Sequence, residues 1–224
     1  MEWLTQFGFG VVPYLSGTIF LLGCLLRYDR GQYTWRAMSS QILHKTPAFR
    51  WASNLFHVGV LLLFFGHLFG LLLPKAIYTL AITSAQKQWI AIIAGGTFGT
   101  MCLVGISILL WRRLFIPAVR ANSAPADTFI IVLLFLQLLT GLYTIVESID
   151  HGAGTMVALA HWAQHIVTFQ ADAWTYVMDV HWAYKLHIGL GMLMFASFPF
   201  TRLIHIWSWP FTYVWRNYQM VRVK

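Results

Sequence analysis

The chain has 224 residues, of which 58% are hydrophobic and 10% are charged, and its formal net charge is +8. Soluble domains carry about 25% charged residues, so this composition excludes an ordinary soluble domain and indicates an integral membrane protein. Cytoplasmic loops of such a protein explain the positive net charge better than nucleic-acid binding does. Both cysteines, Cys24 and Cys102, lie in apolar stretches outside any C-x-x-C motif. Their positions exclude a covalently attached c-type haem and a cysteine-ligated iron–sulfur cluster.

Five apolar stretches are long enough to cross a bilayer, for which an α-helix needs about 20 residues. We predict spans at about 3–26, 51–73, 88–111, 128–146 and 183–206. No basic residue precedes the first apolar run, so we expect it to remain as a span and not to be cleaved as a signal peptide. Residues 1–224 are therefore predicted to form one all-α membrane domain with five transmembrane helices and a tail at 207–224. The stretch at 151–180 has an amphipathic pattern and is predicted to lie at the interface.

The distribution of Lys and Arg predicts the orientation of these helices, since cytoplasmic loops carry an excess of both. With five alternating spans, twelve basic residues fall on one side and three on the other. The twelve are Arg27, Arg30, Arg36, Lys45, Arg50, Arg112, Arg113, Arg120, Arg202, Arg216, Arg222 and Lys224. The three are Lys75, Lys87 and Lys185. We therefore expect the N-terminus outside and the C-terminus in the cytoplasm.

Two of the predicted spans carry two histidines each: His57 and His67 in the second, His187 and His205 in the fifth. An ionisable side chain inside a membrane is costly and indicates a functional site. Because the two helices run antiparallel, depth pairs His57 with His205 and His67 with His187. A rise of about 1.5 Å per residue separates the first two by about 15 Å, so two histidines of one helix cannot share a metal.

The spacing along the fifth span does not match that of the second. An uninterrupted helix would separate His187 from His205 by about 27 Å and place both on one face, five turns apart. Matching the depth of the partner histidines then requires tilted helices, tilted porphyrins or a bend near Pro199.

Two opposed imidazoles at each of two depths favour haem, whose iron takes its other four ligands from the porphyrin. Zinc and copper sites need three or four protein ligands close together. Small residues flank the histidines and admit either a bulky cofactor or close helix packing. They are Gly59, Gly66, Gly70, Gly189 and Gly191.

Other polar residues have two interpretations each. Arg112, Arg113 and Arg202 either contact haem propionates or simply follow the positive-inside rule. The pair His161 and His165, spaced i, i+4, suits a metal site, but the polar face of an interfacial helix is favoured. His44, His151 and His181 are interpreted as loop residues.

Several segments resemble the gamma subunit of membrane-bound respiratory nitrate reductase, the cytochrome b that anchors that enzyme. They are LLRYDRGQYTWRAMSSQ, ASNLFHVGVLLLFFGHLFG, RRLFIPAVRA, KLHIGLGM and FPFTRLIHIWSWPFTYVWRNYQMVR. The resemblance covers nearly the whole chain and is weakest at 147–180. It implies a protein of the cytoplasmic (inner) membrane with two b-type haems, an inner one between His57 and His205 and an outer one between His67 and His187.

The resemblance also implies a function. The family oxidises membrane quinol, menaquinol or ubiquinol, near the outer haem and passes electrons to an iron–sulfur beta subunit and then to a molybdenum-containing alpha subunit that reduces nitrate to nitrite. Its quinol-site lysine matches Lys87, and His67 and Gly70 are expected in the same pocket. The sequence alone favours an interfacial snorkelling role for Lys87, and the family resemblance favours the quinol site. The inner loops and the aromatic residues of the tail are expected to dock the soluble subunits; these aromatic residues are Trp207, Trp209, Tyr213, Trp215 and Tyr218.

Two other functions stay open. The chain is alternatively a diheme quinol-oxidising cytochrome b of another redox complex, heterodisulfide-reductase-like or of sulfur metabolism, which neighbouring genes would reveal. A non-redox transporter or assembly scaffold is the other alternative, and a colourless purified protein would favour it.

Overall fold

The computed structural model describes residues 2–35, 46–150 and 152–208. Within these ranges all regular structure is helical. The α-helices are α1 (Glu2–Gln6), α2 (Val12–Gly31), α3 (Pro47–Leu72), α4 (Lys75–Tyr78), α5 (Ser84–Phe115), α6 (Pro117–Ala121), α7 (Pro125–Asp150), α8 (Gly154–Val167) and α9 (Trp182–Ser197). Several residues singled out from the sequence lie outside the described residues: Arg36, His44, Lys45, His151, Trp209, Tyr213, Trp215, Arg216, Tyr218, Arg222 and Lys224.

Among the described residues, four helical segments are long and apolar enough to cross a membrane. They are Glu2–Thr34, Pro47–Leu72, Ser84–Phe115 and Pro125–Asp150. The first joins α1 and α2 through a π-helical turn at Phe7–Val11. A fifth span exists if the bent pair Trp182–Phe200 and Arg202–Ser208 is counted as one. The chain is therefore an all-α membrane protein, as predicted.

The fifth span is not the continuous helix that the sequence analysis assumed. The chain bends by 76° between Trp182–Phe200 and Arg202–Ser208, and the described residues after α9 form two 3₁₀ turns, Phe198–Phe200 and Arg202–Ser208. Pro199 lies at the break, where its ring and missing N–H prevent an α-helix from continuing. The expectation that His187 and His205 project from one helical face is therefore wrong, and a bend near Pro199 is one of the three solutions foreseen for the spacing.

The long helices pack in the order α3, α5, α7, α9, α2. Small residues bring α3 and α5 close together, as is common in membrane proteins. A Cβ atom on Gly105 would lie 2.6 Å from the backbone nitrogen of Phe56, and one on Gly59 would lie 2.9 Å from Cys102 Cβ. Gly59 thus serves helix packing, which is one of its two interpretations.

Helix α8 and the following 3₁₀ turn, Ala173–Val177, cover the end of the bundle where the chain begins. Trp162 Nε1 donates to the carbonyl of Phe9 at 2.9 Å, and the hydroxyl of Tyr14 donates to the carbonyl of Ile166 at 3.1 Å. Gln164 Nε2 donates to the carbonyl of Leu71 at 2.9 Å. These bonds tie the cover to α2, to α3 and to the start of the chain.

A buried ion pair holds the opposite end. Asp127 accepts a hydrogen bond from Arg202 Nε at 2.8 Å, and Arg202 Nη2 forms an ion pair with it at 2.6 Å. Arg113 Nη1 lies 3.7 Å from the same carboxylate. Arg27 donates to the carbonyls of Pro199 and Thr201. The bent segment is therefore fastened to α7 through Arg202 and to α2 through Arg27, and Arg113 links α5 to the same carboxylate.

Candidate functional site

Two pairs of imidazole rings meet where α3 faces the fifth span. The ring centroids of His67 and His187 are 6.1 Å apart, and those of His57 and His205 are 6.4 Å apart. A metal–imidazole bond is about 2.0–2.1 Å long, so two rings that bind one metal from opposite sides have centroids roughly 6 Å apart. The structure thus brings together the four histidines in the two pairs predicted from depth, at the spacing that a shared metal requires.

Hydrogen bonds orient three of the four rings. His57 Nδ1 lies 2.7 Å from the carbonyl of Ser53, and His67 Nδ1 lies 2.8 Å from that of Leu63. His205 Nδ1 contacts the carbonyl of Arg202. Because a carbonyl only accepts, Nδ1 carries the proton in each ring, and the lone pair of Nε2 is left for a metal.

The fourth ring, His187, is held by α7. Its Nδ1 lies 3.2 Å from Thr140 Oγ1, and its Nε2 lies 3.3 Å from the side-chain nitrogen of Gln137. A Cβ atom on Gly141 would lie 2.9 Å from His187 Cε1, so only glycine leaves room for the ring. The sequence analysis missed these three α7 residues. Their signal was a polar stripe at i, i+3, i+4 in an otherwise apolar span.

Three of the other glycines lie in more open surroundings, whereas a Cβ atom on Gly191 would lie 3.4 Å from the side-chain nitrogen of Gln137. A Cβ atom on Gly66, Gly70 or Gly189 would have no neighbour within 4 Å, so these positions border open space on α3 and α9. Opposed imidazoles, protons on Nδ1 and glycine-lined space beside the rings together fit six-coordinate haem.

The arginines near the inner pair have partners within the protein. Arg113 and Arg202 bind Asp127, a residue that the sequence analysis did not single out. The guanidinium of Arg112 lies 4.3 Å from the centre of the Phe49 ring, a cation–π contact. Contact of these arginines with haem propionates stays a prediction.

Lys87 is buried at the start of α5, with 8% of its surface exposed. Its ammonium lies 3.9 Å from the centre of the Tyr78 ring, and no hydrogen-bond acceptor for it is found among the described residues. Burial inside the protein argues against a snorkelling interfacial lysine. Lys87 instead borders a small cavity whose other lining residues are Lys75, Tyr78, Met156, Val157, Ala160, His161 and Gln164.

Five of the eight residues that line this cavity come from α8, in the segment about which the sequence analysis made no functional prediction. Neither His67 nor Gly70 is among the residues that line it. Gln164 joins its wall to the end of α3 through the carbonyls of Leu71 and Leu73. The grouping of Lys87 with His67 and Gly70 in one pocket therefore stays a prediction.

Comparison with known proteins extends the resemblance seen in the sequence. The family model described as nitrate reductase gamma subunit matches residues 5–224. The respiratory nitrate reductase 1 gamma chain of Escherichia coli K12 is 48% identical over 225 residues, which cover 100% of both chains. The nitrate reductase gamma chain of Bacillus subtilis 168 is 36% identical over 221 residues, which cover 98% of both.

A more distant relative matches only in part. The Hdr-like menaquinol oxidoreductase cytochrome b-like subunit of Archaeoglobus profundus is 27% identical over 116 residues, covering 50% of this chain and 33% of that protein. The apolar helices and the gamma-chain relatives together identify a multi-pass protein of the inner membrane. Since the family model and these relatives cover nearly every residue, the chain belongs to the nitrate reductase gamma subunit family.

Proposed function

We propose that this chain is the diheme cytochrome b subunit of a respiratory nitrate reductase, which oxidises membrane quinol and delivers the electrons to soluble partner subunits. His57 and His205 would hold the inner haem, and His67 and His187 the outer one. The observation that carries this proposal is the pair of facing imidazoles at each of two depths, with centroids 6.1 and 6.4 Å apart.

When bound at these histidines, haem supplies one-electron transfer between the two sides of the membrane. The protein residues hold and tune it. Each Nδ1–H···O=C bond fixes a ring and makes its Nε2 more basic, which favours the oxidised iron. On the outer ligand His187, the Thr140 hydroxyl takes the place of the carbonyl. The hydrogen-bond acceptors of the outer pair are therefore one carbonyl and one hydroxyl, whereas those of the inner pair are two carbonyls.

Lys87 is proposed to bind a quinol oxygen. Its buried ammonium has no acceptor among the described residues, so a ligand oxygen in the cavity would supply one. An ammonium at that oxygen stabilises the negative charge that develops as the hydroxyl ionises. We expect Lys87→Met to slow quinol oxidation by about 100-fold and to leave both haems bound. An unchanged rate with both haems in place would remove Lys87 from the site.

The partners are proposed to be an iron–sulfur beta subunit and a molybdenum-containing alpha subunit on the cytoplasmic side. The relatives are gamma chains of nitrate reductases, and the side with twelve of the fifteen basic residues is the cytoplasmic one under the positive-inside rule. Quinol oxidised near the other side releases two protons outside and sends two electrons inward. Each charge moved across stores about 2.3 kcal/mol per 100 mV.

The test is a dithionite-reduced minus oxidised spectrum of membranes containing the complex, with haem quantified per polypeptide. We expect two b-type haems in the wild type, loss of the outer one in His67→Ala and loss of the inner one in His205→Ala. His181→Asn is the matched control, because it removes an imidazole but keeps an N-cap acceptor for α9. Folded wild-type protein without haem would overturn the proposal.

A second candidate has the same membrane role but another electron acceptor. The observation that favours it is the partial match to the Archaeoglobus profundus subunit, whose name gives a menaquinol oxidoreductase. Purification of the complex decides between the two. Nitrate reduction by quinol in a complex with a molybdenum subunit supports the first candidate, and quinol oxidation without nitrate reduction supports the second.

A further inference from the structure

Oxidation of quinol at the Lys87 cavity requires a proton acceptor, and this inference rests on the proposed function. Quinol breaks two O–H bonds and gives quinone, two protons and two electrons. The electrons would pass to the haem that His67 and His187 are proposed to hold, and the protons need a base with a free lone pair. Lys87 and Lys75 are cations that only donate, and an amide such as Gln164 is not a base at neutral pH.

Among the residues lining the cavity, His161 is the one whose side chain offers a basic nitrogen lone pair. It lies on the second turn of α8, and its ring stacks on Tyr176 with centroids 5.4 Å apart and an interplanar angle of 25°. The stacking fixes the ring at the cavity wall. The sequence analysis favoured a polar surface role for this residue, whereas the structure turns it toward the cavity that Lys87 faces.

A second histidine on α8 follows His161 in the direction of Asp172. His165 lies one turn further along α8, and its ring centroid is 6.4 Å from that of His161. Its Nδ1 lies 2.9 Å from Asp172 Oδ1, and its Nε2 lies 3.4 Å from the hydroxyl of Tyr176. A carboxylate at Nδ1 stabilises the imidazolium, so His165 is arranged to take up a proton.

The two histidines are half-buried, and Asp172 is exposed. His161 lines the cavity, the side chain of His165 is 25% exposed, and that of Asp172 is 59% exposed. The titratable and charged groups placed around the two histidines are Tyr14, Lys75, Tyr78, Lys87, Asp172 and Tyr176. Asp172 is the carboxylate among them, and it lies at the outer end, where a proton leaves to solvent.

We propose that His161, His165 and Asp172 form the proton exit of the quinol site. His161 accepts each quinol proton in turn, one water molecule carries it across the gap to His165, and Asp172 releases it to the outer solution. His161 is a catalytic residue, because it would touch the quinol. His165 and Asp172 act through it.

The test uses the purified complex with its soluble subunits, without oxygen or nitrate, and follows haem reduction by duroquinol in a stopped-flow instrument. We expect His161→Gln to slow this reduction by about 100-fold, the lower end of what a positioned acid–base group contributes. His165→Gln and Asp172→Asn are expected to slow it by about tenfold. Dithionite reduction, haem content and the Kd of duroquinone should stay at wild-type values, and so should the duroquinol rate of the control His181→Asn.

Chemical rescue separates proton transfer from a structural role. Imidazole added to His161→Gly should accelerate haem reduction in proportion to its concentration and should leave His161→Gln unchanged, since glutamine fills the space. A wild-type rate of haem reduction in His161→Gln would overturn the proton exit. A slow rate in His161→Gly that imidazole does not raise, although the variant binds duroquinone, would overturn it as well. If duroquinol does not reduce a wild-type complex whose haems accept electrons from dithionite, the proposed function itself fails, and the proton exit fails with it.

Discussion

The two histidine pairs are held in different ways. The outer ring of the fifth span, His187, lies on the regular helix α9 and is positioned by the polar stripe of α7. The inner ring, His205, lies on a 3₁₀ segment beyond a 76° bend, and a buried ion pair fastens that segment. The outer site therefore depends on side-chain packing between helices, whereas the inner one depends on charge. Different substitutions should break the two sites separately.

Asp127→Asn should break the inner site and have the largest effect. It leaves the buried Arg113 and the half-buried Arg202 without their carboxylate, and removal of one partner of a buried pair costs about 3–5 kcal/mol. The Arg202 carbonyl that orients His205 then loses its anchor. We expect loss of the inner haem, with the outer one retained, in spectra normalised to polypeptide.

Asp29→Asn is the control for this change, because Asp29 is an exposed acid near the C-terminal end of α2. A double variant, Asp127→Asn with Arg202→Gln, removes one of the uncompensated charges and should recover part of the thermal stability. Equal loss of both haems in Asp127→Asn would contradict the separation of the two sites.

Gly141→Val should break the outer site. Even its Cβ atom would lie 2.9 Å from His187 Cε1, and overpacking of this kind costs about 1–3 kcal/mol. The His187 ring must move away from α7, so we expect loss of the outer haem or a shifted spectrum, with the inner haem unchanged. Gly96→Val in α5 is the control, since a Cβ atom there meets nothing within 4 Å. Similar spectra from the two valine variants would show that α7 does not position His187.

The same comparison shows which features of the structure can be predicted from the sequence. Hydropathy locates the long helices, and antiparallel depth pairs the histidines, because both depend on spacing along single segments. The support of the rings was not predictable in this way. Gln137, Thr140 and Gly141 form a visible stripe, but no local pattern tells which helix the stripe faces.

The missed residues share a long-range origin. Asp127 looks like an ordinary acid at a span end, and only the fold places it between Arg113 and Arg202. Helix α8 has an amphipathic pattern that suits a membrane surface equally well, and its contacts with Phe9 and Leu71 join residues far apart in the chain. The bend at Pro199 was foreseen only as one of three options, since proline indicates a break without fixing its angle.

Gly66→Leu should test the space beside the rings, with a smaller effect. A Cβ atom at Gly66 meets nothing within 4 Å, so the polypeptide leaves open space where the new side chain begins. A porphyrin bound to the neighbouring His67 would compete for that space. We expect haem content to fall while the amount of folded protein in membranes stays the same. Full haem content in Gly66→Leu would place the macrocycle elsewhere along α3.

Thr140→Val should change the outer site least and in the most specific way. Valine keeps the volume of threonine but removes the acceptor for His187 Nδ1–H. A lost hydrogen bond costs about 1 kcal/mol, which corresponds to roughly 40 mV for one electron, given about 59 mV per tenfold change. A less basic ligand stabilises oxidised iron less, so the outer potential should rise. Potentiometric titration of both haems measures this shift, and Thr144→Val, one turn further along α7, is the control. A shift of the inner potential, or equal shifts in the two valine variants, would mean that Thr140 acts on the fold as a whole and not on His187.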